Sequence, residues 1–230
     1  TWYAPNNATL VIVGDVNPTE AINEVKKYFA DKKPQTLPTR PSVIQPGFRG
    51  YQEKTMQLPV QVPMVMMAFN VPTLTTAKDP KTAYSLSLLA DVLDGGLSAR
   101  LEKRLVREKQ LLASVGSGYN AFSRGDGLFL IQATPRDGVT LAQAKQAIIA
   151  EIDALKTQPI AQSELTRAKT NTMTSLIYSQ DSISGQAQMI GSLNRIGLDD
   201  RMVFNLPKIL DSITESDLHA AASKYLVNNN

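Results

Sequence analysis

The chain has 230 residues, of which 43% are hydrophobic and 20% are charged, and its formal net charge is +3. This composition is typical of a globular protein with a sizeable core, and it argues against a disordered, collagen-like or coiled-coil chain. Because the small positive excess is spread along the sequence, nucleic-acid binding is not indicated, and no apolar run approaches the roughly 18 residues of a membrane span.

The first predicted elements are a strand and a helix. Residues 9–14 form a continuous apolar run of strand length, which predicts a buried strand. Asn17, Pro18 and Glu20 then supply an N-cap, a first-turn proline and a capping-box acid, so a helix is expected to about residue 31. Residues 34–47 contain four prolines without periodicity and predict an extended linker.

Beyond the linker, pairs of strands are followed by groups of helices. Residues 51–58 and 62–71 predict an antiparallel pair of strands. A helix is expected over residues 80–94, where Gly95-Gly96 ends it, because glycine readily adopts the conformation of a helix C-cap. A shorter helix is expected over residues 98–109.

The remaining elements are two more strands and several helices. Residues 114–123 and 128–134 predict strands joined by a turn at 124–127. The helical segments that follow are 140–158, 163–179, 182–213 with interruptions at Gly197 and Pro207, and 214–225. Because strands come in pairs and helices in groups, the sequence favours an α+β fold, an antiparallel sheet with helices packed on one face, over alternating βαβ units.

Few residues are candidates for chemistry. There is no cysteine and His219 is the only histidine, so the chain by itself cannot provide thiol catalysis or a His-rich zinc site. Gly116-Ser117-Gly118 lies inside a predicted strand and indicates either a bulge or a place where a peptide backbone approaches. The basic segment 100–109 fits a solvated helical face, but an arginine at its end is also suited to hold a substrate carbonyl or carboxylate.

Three segments carry a resemblance to a known family. Residues 2–16 read WYAPNNATLVIVGDV, residues 93–101 read LDGGLSARL, and residues 105–119 contain LVREKQ followed by SVGSGY. In this order and at these separations they resemble the pitrilysin/insulinase-like zinc metallopeptidases, the M16 family. The resemblance covers essentially the whole chain.

The resemblance implies two similar α+β (LuxS-like) domains that face each other around a closed chamber. The family's zinc motif, H-x-x-E-H, belongs to the first domain and does not occur in this sequence. Residues 1–33 would be the last strand and helix of the first domain, residues 34–47 the connector, and residues 48–230 the second domain. No cofactor is therefore expected in this chain, and zinc is expected in the N-terminal half that would precede it.

The resemblance also implies a set of substrate-binding residues. Family members use an arginine, and a tyrosine seven residues later, to hold the substrate backbone. Arg107 matches the arginine, but Ser114 stands at the tyrosine position and the nearest tyrosine is Tyr119. The implied set is Arg107, Ser114, Gly116, Gly118 and Tyr119, in which the arginine–tyrosine pair is only half present. No residue of this chain is expected to be catalytic or to bind metal.

The implied function is that of the C-terminal, non-zinc-binding half of a zinc endopeptidase, inactive alone, which forms a chamber wall and a substrate-binding surface. The alternative is a partner subunit or scaffold without catalytic activity. The expected partners are the N-terminal domain of the same family, peptide substrates and, for the alternative, a homologous subunit. The expected location is a bacterial periplasm or cell envelope, although the absence of cysteine is compatible with the cytoplasm as well.

Overall fold

A computed structural model describes residues 2–39 and 50–227 of the chain. The chain divides into two compact units, which comprise residues 1–47 with 176–200 and residues 48–175 with 201–230. Within the described ranges, no helix combines the length and the hydropathy needed to cross a bilayer.

The larger unit contains a three-stranded antiparallel sheet in which β3 lies between the other two strands. Its strands are β1 (Val65–Val71), β2 (Leu112–Tyr119) and β3 (Gly127–Pro135). Phe69 of β1 and Tyr119 of β2 both stand opposite Phe129, which fixes the register on either side of β3. A bulge interrupts the register of β2 between Leu112 and Ser114.

Side chains alternate across this sheet, so its two faces differ. On β3, Phe129, Ile131 and Ala133 are buried, whereas Leu128 and Leu130 between them are exposed. The buried face lies against helices, because an apolar face is stabilised when it leaves water. The opposite face carries no covering element among the described residues of the larger unit.

Seven α-helices occur in the described residues, and most begin or end where the sequence predicts. Thr140 and Thr214 form capping boxes at two helix starts, and Asn17 and Asp79 accept backbone N–H groups at two others. Gly197 ends α5 with a φ of +83°, a conformation that favours glycine. The helices are α1 (Pro18–Phe29), α2 (Pro80–Asp94), α3 (Leu141–Thr157), α4 (Gln162–Gln180), α5 (Ile183–Ile196), α6 (Met202–Ser212) and α7 (Glu215–Tyr225).

The core of the larger unit consists of the buried sheet face and the helices α2, α3 and α7, which contact the three strands. The fully buried large side chains include Leu86, Leu88, Leu89 and Leu93 of α2, Ile148 and Leu155 of α3, and Phe129 and Ile131 of β3. The predicted α+β architecture, an antiparallel sheet with helices on one face, is therefore confirmed.

The short helix predicted over 98–109 adopts π-helical geometry at Glu102–Glu108. Two of its cations bind one carboxylate of α3: Arg104 Nη1 lies 2.8 Å from Glu151 Oε2, and Lys109 Nζ lies 3.0 Å from Glu151 Oε1. The Glu151 side chain is only 4% exposed. Apolar spacing alone does not distinguish this wider helix from an α-helix.

Two predicted strands are wrong. Residues 9–14 and 51–58 are irregular and belong to no sheet among the described residues, and β1 pairs with β3 rather than with 51–58. A strand forms only where its backbone groups find a paired neighbour, and an apolar sequence does not supply that neighbour. Residues 51–58 are instead attached to α3 by Lys145 Nζ, which lies 2.8 Å from Glu53 Oε1.

Two further predictions concern prolines. Pro207 does not interrupt the last helices, because α6 runs through it and buries Val203, Leu206 and Leu210. The loss of one backbone hydrogen bond at this proline is thus offset by the packing of the apolar side of the helix.

Of the predicted linker, residues 34–39 are irregular, and residues 40–47 lie outside the described residues.

A buried ion pair joins Arg100, two residues before the π-helix, to α4. Arg100, which is 3% exposed, donates from Nε and Nη2 to the two carboxylate oxygens of Glu164, each at 2.7 Å. Burial by itself would raise the pKa of Glu164, but hydrogen bonds from Arg100 and from the Ala161 amide outweigh burial and hold that pKa below its usual value. The pair therefore stabilises the fold when Glu164 is ionised.

We expect Glu164→Gln to lower the free energy of unfolding near neutral pH by roughly 3–5 kcal/mol, the typical cost of removing one partner from a buried ion pair. Because the folded-state pKa of Glu164 is lowered, its contribution is complete above the usual carboxyl pKa and is lost as the pH falls through the folded-state value. In urea unfolding experiments, the difference between variant and wild type should therefore shrink at acidic pH.

The control for this prediction is Glu108→Gln, which removes an exposed carboxylate 3.9 Å from Lys103 Nζ. An exposed pair contributes about 0–1 kcal/mol, so this variant should differ little from wild type. Equal losses of stability in the two variants would contradict the assigned role of Glu164.

Candidate functional site

The uncovered side of the sheet is the first candidate surface, and we call it the open face. Its residues are Met66, Ala68 and Asn70 of β1, Leu128, Leu130, Gln132 and Thr134 of β3, and Ser114, Gly116 and Gly118 of β2. None of these ten side chains is charged. Met66, Leu128 and Leu130 are 61%, 46% and 37% exposed, so the face presents apolar surface to its surroundings.

A cavity of about 460 Å³ lies on the open face between β2 and β3. We call it the β2–β3 trough. The residues that line it are Ser114, Val115, Gly116, Ser117, Gly118, Leu130, Gln132, Ala133 and Thr134. The trough exists because β2 places two glycines next to each other on this face, opposite Gln132 and Leu130 of β3.

The outer edge of β2 is partly occupied by α2. The Ser117 backbone N–H donates to Asp94 Oδ2 at 3.0 Å, and the Ser117 hydroxyl donates to the Ala90 carbonyl at 3.0 Å. Both acceptors lie near the end of α2. An extended peptide that paired with β2 at Ser117 would have to displace the Asp94 carboxylate.

Arg107 lies on the π-helix and is exposed. Its side chain forms no ion pair or hydrogen bond with the part of the chain that the structure describes. Its neighbours differ in this respect, because Arg104 and Lys109 both bind Glu151. The π-helix is thereby attached to α3 on both sides of Arg107, and the Arg107 guanidinium remains available to a ligand.

The other predicted site residues separate onto the two faces of the sheet. Ser114, Gly116 and Gly118 lie together on the open face, in the trough. Tyr119 lies on the buried face, where its ring is 6.4 Å from that of Phe129 and its hydroxyl donates to the Pro72 carbonyl at 2.6 Å. Burial, with smaller effects from Tyr225 and Asp126, raises the pKa of Tyr119 well above its usual value. The Tyr119 hydroxyl therefore stabilises the fold through its hydrogen bond to Pro72.

The described residues do not fit a zinc ion. Residues 2–39 and 50–227 contain no group of three or more histidine, cysteine, aspartate or glutamate side chains that could hold a metal. The His219 ring lies 3.3 Å from Glu215, and the same carboxylate oxygen accepts the Ile160 N–H at 2.9 Å.

Several residues of this surface were not identified from the sequence. Leu130, Gln132 and Thr134 line the trough, and their alternation with buried residues along β3 was an available signal. Asp94 precedes Gly95-Gly96, but no local pattern indicates that its carboxylate accepts a β2 amide 23 positions away. Glu151 lies on α3 among apolar residues, where its burial depends on two cations from the π-helix.

Comparisons with known proteins give a consistent result. The family model described as "Peptidase M16 inactive domain" matches residues 1–172. The zinc protease PqqE of Helicobacter pylori is 29% identical over 190 residues, which cover 81% of this chain and 41% of that protein. The chain thus spans about two fifths of the length of this curated relative.

Solved structures show a similar fold. The crystal structure of a protease from Helicobacter pylori matches with a TM-score of 0.84 at 23% identity, over 94% of this chain and 52% of that one. The periplasmic protease PqqL from Escherichia coli matches with a TM-score of 0.70 at 18% identity, over 93% of this chain and 23% of that one. These likenesses support the fold assignment.

The contact between Asp94 and β2 can be tested by amide exchange. Asp94→Ala removes the acceptor of the Ser117 N–H, so we expect exchange at Ser117 to accelerate at least about tenfold relative to the amides of β3. Asp94→Asn retains a carbonyl oxygen and should stay close to wild type. Hydrogen–deuterium exchange followed by NMR measures both variants, and unchanged protection of Ser117 in Asp94→Ala would refute the contact.

Proposed function

Since this chain belongs to the peptidase M16 inactive-domain family, we propose that it forms the non-zinc-binding half of a zinc endopeptidase and supplies a wall of its substrate chamber. The observation that carries this proposal is the open face, an uncharged sheet surface with exposed apolar side chains and a trough. Such a surface suits a polypeptide in extended conformation, because backbone and side chains can lie along the strands.

The metal would belong to a preceding half of the full-length protein. The curated relative is a zinc protease of which the matched region covers 41%, so more than half of its length lies outside the match. A zinc ion polarises a peptide carbonyl and activates water when it is bound. The described residues of this chain contain no group of three or more potential ligands, and their contribution would be to bind and orient the peptide.

The proposed domain organisation follows the family resemblance: residues 1–33 complete the first domain, residues 34–47 connect, and residues 48–230 form the second domain. Two observations on the smaller unit support an additional neighbour for residues 1–33. Residues 9–14 form no ladder, and α1 buries no side chain, so that Ile22 is 53% exposed. Residues 176–200, which this division assigns to the second domain, group with the smaller unit.

Within the proposed second domain, Arg107 would bind a substrate carbonyl or carboxylate through its planar guanidinium. Its exposure and lack of an internal partner support that role. Ser114, Gly116 and Gly118 would contact the peptide from the open face. Tyr119 contributes to this surface only indirectly, because its hydroxyl bonds Pro72.

The proposed location is the periplasm or cell envelope of a bacterium. The fold neighbour from Escherichia coli is described as a periplasmic protease, which supports this location by analogy. The absence of cysteine is compatible with an oxidising compartment.

The alternative is a partner subunit or scaffold without catalytic activity. It is favoured by the incomplete arginine–tyrosine pair, since Ser114 stands seven positions after Arg107 and Tyr119 is engaged in the fold. A full-length protein that has no zinc motif, fails to hydrolyse peptides and forms a stable complex with a homologous subunit would favour this alternative.

The proposal is tested by peptide hydrolysis with and without zinc. The full-length protein, with its preceding half, should cleave unstructured peptides in a zinc-dependent manner, and the 230-residue chain alone should not. Zinc-dependent turnover by the chain alone would refute the division of roles.

The role of Arg107 is tested in the same assay on the full-length protein. Arg107→Ala should lower kcat/KM about tenfold or more, because a hydrogen bond to a charged group contributes roughly 1.5–3 kcal/mol. Lys103→Ala removes another exposed cation of the same helix and serves as the control, with little expected change. Equal effects of the two substitutions would show that Arg107 acts only through general charge.

A further inference from the structure

The two glycines of β2 are not explained by the fold. Glycine weakens a strand interior, and it is usually retained there for a bulge, a positive φ or the close approach of another backbone. The bulge of β2 lies elsewhere, between Leu112 and Ser114. Neither Gly116 nor Gly118 has a φ in the left-handed region.

Space for side chains is available at both positions. A Cβ atom added at Gly118 would meet no atom within 4 Å, and one added at Gly116 would meet only Asp94 Oδ2 at 3.5 Å, an ordinary contact. A residue with a Cβ would fit at both positions, and most such residues favour a strand more than glycine does. The described residues therefore give no internal reason for two glycines, and the space above them is available to a ligand.

The lining of the trough indicates which ligand would fit. All nine lining residues are uncharged. Among the lining side chains on the open face, Leu130 supplies apolar surface and is 37% exposed. The side chains of Ser114, Gln132 and Thr134 form no hydrogen bond with the described residues, so their donors and acceptors are free for the amides of a bound peptide.

We propose that the β2–β3 trough is a subsite for a bulky, uncharged side chain of an extended peptide, with Gly116 and Gly118 as specificity-determining residues. This inference rests on the proposed function, because it names the peptides that the chamber wall selects. A charged side chain would lose hydration in the trough, and the nearby Asp94 carboxylate already accepts the Ser117 N–H, so the subsite disfavours charge. An apolar side chain gains by leaving water against Leu130.

The first experiment measures peptide binding to the 230-residue chain by NMR titration. The probes are short peptides with capped ends that differ only at the central residue, which is phenylalanine, aspartate or lysine. The phenylalanine peptide should bind at least about tenfold more tightly than either charged peptide and shift the amide signals of Gly116 and Gly118. Equal affinities for the three peptides, or no binding of any of them, would overturn the subsite.

A substitution at Gly118 separates binding from folding. Gly118→Val should weaken binding of the phenylalanine peptide at least about tenfold without lowering Tm, since its added side chain enters the trough and its Cβ meets no atom within 4 Å. The matched control is Asn70→Val, which adds a β-branched side chain to the open face outside the trough. Unchanged binding in Gly118→Val would overturn the proposal.

A third experiment measures which of the peptides binds most tightly. A purely structural role of the trough residues would not change that order. Leu130→Lys introduces a cation at an exposed position of the trough and should invert the preference in favour of the aspartate peptide. Retention of the original preference in this variant would overturn the subsite even if a glycine variant proved unstable.

The two proposals can fail separately. Zinc-dependent hydrolysis by the full-length protein, together with equal binding of the three peptides, would refute the subsite and retain the chamber wall. Selective binding by the chain, with no hydrolysis by the full-length protein, would retain the subsite and refute the peptidase role.

Discussion

The side-chain alternation of β3 determines both the core and the candidate site. Phe129, Ile131 and Ala133 must point to one side to pack against the helices. Because the period of a strand is two, Leu130 and Gln132 must then point to the other side. The pairing of β3 with β1 and β2 extends this division across the sheet. The open face thus follows from the burial of the opposite face.

The carboxylates around the sheet are used to join elements of the fold. Glu151 binds Arg104 and Lys109, Glu164 binds Arg100, and Asp94 accepts a β2 amide. These pairs satisfy charges that would otherwise be costly to bury. None of them belongs to the ten residues of the open face, although the Asp94 carboxylate borders it beside Gly116. Arg107 differs from Arg104 and Lys109, because its side chain has no partner among the described residues.

Helices were predicted well because their signals are local. The capping residues Thr140 and Thr214 lie within three positions of the amides they bind, so the sequence specifies those starts directly. Strands 9–14 and 51–58 were predicted wrongly because their apolar pattern does not specify a paired neighbour. The trough could be predicted only in part. Gly116 and Gly118 indicate a place where the backbone of a peptide can approach the strand. Their position beside Leu130 depends on the strand register, which the tertiary fold determines.

A domain without metal ligands can still determine which peptides reach a catalytic centre. Selectivity is a difference between binding free energies, and a surface can produce that difference by excluding ligands as well as by attracting them. On this chain the exclusion would come from an uncharged lining, since buried charge without a partner is costly. Attraction would come from apolar area at Leu130 and from free hydrogen-bonding groups at Gln132 and Ser114. Both effects require space, and the two glycines provide it without disturbing the packing of the opposite face.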